Sequence, residues 1–161
     1  MAITYSFGAT NPVVAPVATD KAISVGDLVA LSSGSAISAL DFPWDTDLAT
    51  TQENFAGAFL GVSGQLKRDD IALVYGNSVA NQIRIDCSGI YEGTYTGSAL
   101  LVGDFVGPTS VSNVLQPQSL VKVASVDLAI GTVVEALSGT GTVKFQLLSA
   151  KNPVARYSTT F

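Results

Sequence analysis

The sequence predicts an all-β protein, a small barrel or sandwich of short antiparallel strands with one short helix. Two observations carry that expectation. Short apolar runs recur along the chain, separated by Gly, Asn and Ser at the spacing of barrel and sandwich strands. A single stretch, Asp45 to Phe55, instead places Leu48, Thr51, Gln52 and Phe55 at helical spacing. A third observation bears on where the apolar surface goes. Only 13% of the 161 residues are charged while 47% are hydrophobic, against about 25% charged in an ordinary soluble domain.

Residues 1–17 hold no charge and two prolines, Pro12 and Pro16, each of which drives its predecessor toward extended geometry. They read as an extended N-terminal arm ahead of a β domain at 18–150, with a first strand or a disordered end as the other reading. Ile3, Tyr5 and Phe7 alternate and are expected to share one face, which makes them candidate partner-binding residues. In the arm reading, a chain starting near Ala18 still folds. Expected strands then follow at Ile23–Leu31, Ser35–Leu40, Phe55–Val62, Leu73–Tyr75, Ile83–Tyr91, Ser98–Val106, Leu120–Val126, Thr132–Leu137 and Thr142–Leu148. The helix at Asp45–Phe55 is expected to start at Asp45 or Thr46 as N-cap and to be short, because its threonine pair propagates helix poorly. Residues 151–161 read as an irregular C-terminal tail, broken by Pro153.

An internal echo runs through the turns. Val25-Gly26-Asp27-Leu28-Val29 recurs as Val102-Gly103-Asp104-Phe105-Val106, and Ile130-Gly131-Thr132 varies it. Glycine at the φ > 0 position with a polar neighbour bonding nearby backbone accounts for it as shared turn chemistry.

Composition also excludes. There is no histidine, so the common general base, the Ser-His and Cys-His pairs and most zinc sites are ruled out. No phosphate-cradling or dinucleotide motif occurs. Together these read as a non-enzyme with no cofactor and no metal. Asp41, Asp45 and Asp47 surround a Phe-Pro-Trp loop but lack the spacing of a calcium loop. Cys87 alternates with Ile83 and Ile85 and reads as a small buried hydrophobe. The net charge is −5, the sequence pI is about 4.4, and the basic residues are dispersed, so nucleic acid is not expected as a partner. No apolar run reaches the roughly 20 residues a membrane helix needs, and the start lacks the pattern of a signal peptide. A mean hydropathy of +0.40 is then best absorbed between subunits, as in a homotrimer. Trp44 is either a docking platform or a plug sealing one end of the core, and it joins the candidate partner-binding set.

In the order of its elements the chain resembles the decoration, or cement, proteins of phage capsids. The residues concerned are Gly26-Asp27-Leu28-Val29, the stretch DLATTQENFAGAFLGVS from Asp47 to Ser63, the strand Ile85–Tyr91, the second Gly-Asp turn Gly103–Val106 and a closing strand at Val143–Leu147. The resemblance spans about residues 20–150 and rests on spacing and composition. It implies a β-tulip-like barrel that trimerises on the outer capsid surface and bridges copies of the major capsid protein after synthesis in the host cytoplasm. Two other readings stand beside it. One is a carbohydrate- or receptor-binding module of a fibre or tail, stacking sugars on Trp44, Tyr91 and Tyr95. The other is a glycosidase or lyase working with carboxylates alone.

Overall fold

A computed structural model describes residues 3–18, 20–68 and 82–151. The expected strand at Leu73–Tyr75 and the tail beyond residue 151 lie outside the described residues. Eleven strands and one α-helix are present among the described residues: β1 (Thr4–Phe7), β2 (Pro12–Pro16), β3 (Leu28–Ser32), β4 (Ser35–Ser38), α1 (Leu48–Ala58), β5 (Phe59–Ser63), β6 (Gln82–Asp86), β7 (Ile90–Tyr95), β8 (Phe105–Val111), β9 (Val114–Val123), β10 (Gly131–Val133) and β11 (Gly141–Leu147). The fold is all-β with one short helix, as the strand spacing predicts.

The strands form two sheets, and each closes on itself. The first runs β2-β6-β5-β3-β4 and is closed by a parallel bridge between Val17 and Ala36. The second runs β7-β11-β10-β8-β9 and is closed by parallel pairing of β9 with β7, while β1 adds to the other part of the β7 edge. Strand for strand, β2–β6 and β7–β11 therefore repeat one topology.

The equivalence extends to single hydrogen bonds. In the first barrel Gly26 N–H donates to Ser63 O and Ser63 N–H to Asp27 O, each at 2.9 Å; in the second Gly103 N–H donates to Val133 O at 2.9 Å and Val133 N–H to Asp104 O at 2.8 Å. Four residues before each Asp and after each strand end, Ile23 exchanges backbone bonds with Lys67, and Leu100 with Leu137. Gly64 N–H reaches Arg84 O as Val134 N–H reaches Lys144 O, both at 3.0 Å. Each barrel also carries a two-residue hairpin, Ser33-Gly34 and Ser112-Asn113, with all four residues in the left-handed region, the type I′ geometry that matches strand twist.

The echo in the sequence is thus the entry turn of a repeated unit. Ser24–Asp27 and Leu101–Asp104 are both closed by an i to i+3 bond, with Gly26 (φ 87°) and Gly103 (φ 94°) at the third position. Each Asp then accepts from the first residue's N–H, at 3.0 Å for Ser24 and 2.9 Å for Leu101. Gly131 departs from the theme: it lies inside β10 and pairs with Val106 as Gly61 pairs with Val29.

The two faces of the first sheet divide the core. Val29, Ala36, Leu60, Ile83, Ile85 and Cys87 fill the first barrel. Leu28, Ala30, Ile37, Phe59 and Val62 pack with α1 Phe55 against the interior of the second, around Tyr91, Leu120 and Phe145. Two polar bonds add direction to that contact, the part-buried one from Gln118 Nε2 to Asp27 Oδ1 and the buried one from Gln52 Nε2 to Pro108 O, both 2.8 Å.

The helix begins later than the sequence pattern suggests. Asp47, not Asp45 or Thr46, is the N-cap and accepts from Thr50 N–H at 2.7 Å, because Asp45 is engaged by Thr46 and Asn54. The expected strand Ile83–Tyr91 is interrupted at Cys87–Gly89, where the chain crosses from one barrel to the other. Residues 98–104, expected as strand, form the second entry turn and its approach.

Candidate interaction surfaces

β1 and β2 are extended and belong to this chain's own sheets, but the chain turns between them at Gly8 (φ 101°) and Asn11 (φ 42°), the latter against the extended geometry that Pro12 predicts for its predecessor. β1 pairs with β7 from Thr4–Glu92 onward, Cys87 and Ser88 N–H both donate to Thr10 O, and β2 pairs with β6 from Pro12–Asp86 to Pro16–Gln82. The result is one strap laid antiparallel along the crossover between the barrels. Ile3, Ala15 and Val17 are buried beneath it.

A bulge between Tyr5 and Phe7 decides how the three candidate residues point. Tyr5 lies opposite Tyr91 and Phe7 opposite Ile90; since adjacent residues of β7 face opposite ways, so do Tyr5 and Phe7. The expected shared face of Ile3, Tyr5 and Phe7 is therefore broken. Ile3 is 3% exposed, whereas Tyr5 and Phe7 are 53% and 54% exposed. Tyr5 meets the Tyr91 ring edge-on at 5.8 Å and donates its hydroxyl to Gly8 O. Val13 and Val14 are also exposed on the strap. Pro12 and Pro16 withhold two backbone donors from β2, which blunts that edge against further strand addition.

Trp44 is half-buried and packs with Phe42 against the main core, where Phe42 meets Phe55 edge-on at 5.1 Å. Ile3 and Trp44 thus contribute to one core, and Tyr5 and Phe7 lie outside it. Tyr91 and Tyr95 are buried, so neither is open to a sugar ring. Tyr91 donates its hydroxyl to Asp86 at 2.8 Å, and burial together with that carboxylate pushes its pKa far up. Cys87 is a free, buried thiol whose pKa is raised by burial and then by the Asp86 charge.

The acidic loop is committed to local structure. Asp41 lies 3.8 Å from Lys21. Backbone N–H groups of Thr46 and Thr50 hold the Asp45 and Asp47 carboxyls below their ordinary range. Among the described residues no three His, Cys, Asp or Glu gather as a metal site. A cleft of about 320 Å³ lies beside Glu92, Glu135, Thr142 and Lys144. There Lys144 pairs with Glu135 at 2.8 Å and Glu92 at 3.9 Å, and the Glu135 hydrogen bond raises its pKa.

Sequence reasoning missed a second pair of surfaces. Each entry turn, with the segment paired to it, forms a corner. The corners carry Val25 (53% exposed) with Leu66 (54%), and Val102 (67%) with Leu101 (68%). The signal was present in the sequence as a valine preceding Gly-Asp in both copies of the echo.

No family model matches the chain, and no curated protein does. Among solved structures it is similar to the N base of the head fiber gp8.5 of bacteriophage phi29, at 13% identity and a TM-score of 0.43, over 85% of this chain and 94% of that one. A likeness of that strength fixes neither fold nor role.

Proposed function

We propose that this chain is a structural virion protein, a decoration subunit that binds the outer surface of a phage head as a homotrimer and bridges neighbouring copies of the major capsid protein. The observation that carries this reading is the distribution of exposed apolar residues. Among the described residues, eight of the ten large hydrophobics left exposed lie on the strap (Tyr5, Phe7, Val13, Val14) or on the two corners (Val25, Leu66, Leu101, Val102). Apolar exposure concentrated in this way, on a chain with 13% charged residues, is the composition of a surface that is covered in an assembly. A net charge of −5 favours the outside of a shell over the side facing packaged DNA.

The carbohydrate-binding alternative is weakened by the burial of Tyr91 and Tyr95, which leaves only Trp44 of its three stacking residues partly accessible. The carboxylate-only enzyme is weakened because Lys144 ties Glu92 and Glu135 together in the cleft.

The test is sedimentation of the purified protein with empty heads of the source phage, alongside light scattering of the free protein. Saturable binding by a trimer is expected. A stable monomer that stays in the supernatant overturns the proposal, and a hit on a glycan array would favour the alternative.

A further inference from the structure

Lys67 breaks the likeness of the two barrels. Ile23 exchanges backbone bonds with Lys67 as Leu100 does with Leu137, so Lys67 and Leu137 stand at one position of the repeated unit. Leu137 is apolar and packs against the main core. Lys67 is 1% exposed and donates from Nζ to Ala18 O at 2.8 Å and to Lys21 O at 2.6 Å. Lysine is almost never this buried, because its ammonium gives up hydration that hydrogen bonds must replace. The leucine of the second barrel shows that the unit closes around an apolar side chain here. The ammonium therefore answers to something particular to the first barrel.

That particular is a weaker seam. The second barrel closes through Thr94–Ser119 and Tyr95–Leu120, with Thr96 N–H added on Leu120 O at 3.2 Å. The first closes through the single bridge Val17–Ala36. Its strand β2 also brings only three backbone donors in five residues, because Pro12 and Pro16 have none. The two carbonyls that Lys67 holds belong to the turn immediately after Val17, itself closed by Lys21 N–H on Ala18 O at 3.1 Å. A cation on a carbonyl makes the stronger, charge-assisted kind of hydrogen bond, and this one begins one residue beyond the bridge it reinforces.

We infer that Lys67 is a latch: its ammonium holds the end of β2 in its own barrel, and the seam between β2 and β4 is where the chain opens first when that hold is lost. Only β2 leaves in such an opening. It uncovers Ala36, Ile83 and Ile85 in the first core, while β1 stays on β7 and the second barrel stays closed. The inference is independent of what the protein binds.

Native-state hydrogen exchange of the full chain, read by mass spectrometry, tests it. In the parent, peptides covering β2 should exchange faster than those covering β7 and β11. Lys67→Met keeps the reach of the side chain and removes the ammonium. It is expected to speed exchange in β2 by about tenfold or more, with β7 and β11 within about twofold of the parent. A rise of equal size in both barrels would mean that Lys67 contributes only to global stability, and the inference is then wrong. Unchanged exchange in β2 overturns it as well. If Lys67→Met does not fold, the parent decides: β2 exchanging as slowly as β7 and β11 overturns the inference, and β2 exchanging ahead of them upholds it.

Discussion

Ile3→Ala distinguishes a strand from an arm at the N-terminus. Ile3 is 3% exposed within the main core, close enough to β7 that a Cβ on Gly93 would stand 3.2 Å from its side chain. Truncating a buried isoleucine to alanine costs about 2–5 kcal/mol, depending on how far the site collapses. β1 is four residues long and paired on one side only, so it can shift to fill part of the gap. The expected loss therefore falls at the low end, about 2–3 kcal/mol, or roughly 4–12 °C in melting temperature for a protein of this size. Tyr5→Ala and Phe7→Ala, at half-exposed positions, should each cost under about 1 kcal/mol. Urea denaturation of all three variants reads this directly. An Ile3→Ala variant within about 0.5 kcal/mol of the parent, the range of ordinary surface changes, would refute the reasoning and return residues 1–17 to the status of a loose arm. On the same grounds a chain starting at Ala18, which lacks β1, β2 and three core side chains, is expected to melt well below the full-length protein.

Gly61→Ala and Gly131→Ala should both destabilise severely, since a Cβ at Gly61 meets Asp86 O and one at Gly131 meets Gln146 O and the Phe145 ring. Loss of stability at only one of the two would break the equivalence of the barrels. Cys87 should react slowly with thiol reagents in the native state and quickly in denaturant, because burial disfavours its thiolate; rapid native labelling contradicts its placement. Asp104 has its pKa lowered, first by Leu101 N–H and then by Lys122, so its contribution is present above the unfolded carboxylate pKa and is lost as pH falls through the folded one. Asp104→Asn should flatten the acid limb of the stability profile below about pH 4, and an unchanged limb counts against the assigned bonds. Asp27→Ala should cost more than Asp104→Ala, because it leaves the buried Ser38 hydroxyl and the partly buried Gln118 amide without their carboxylate partner.

Local chemistry made much of this legible in advance. Alternating apolar runs between turn residues specify short strands wherever the chain folds, so fold class followed from residue order, and so did the helix stripe of Leu48, Thr51, Gln52 and Phe55. The burial of Cys87 was readable from period two alone. Turn chemistry is equally local, which is why both Gly-Asp turns stood out before any pairing was known. Tertiary structure decided what those pieces belong to. Which strand sits beside which depends on contacts distant in sequence, so only the assembled sheets reveal that β2–β6 and β7–β11 are one topology twice. The sense of the N-terminal segment was likewise set from afar: an uncharged, proline-marked stretch is equally suited to an arm or an edge strand, and the edges of β6 and β7 settle it as a strap. The bulge that parts Tyr5 from Phe7 shifts one residue against its partner strand. No alternation within the segment can encode it, because the register that fixes the bulge lies more than eighty residues away, at Tyr91 and Ile90.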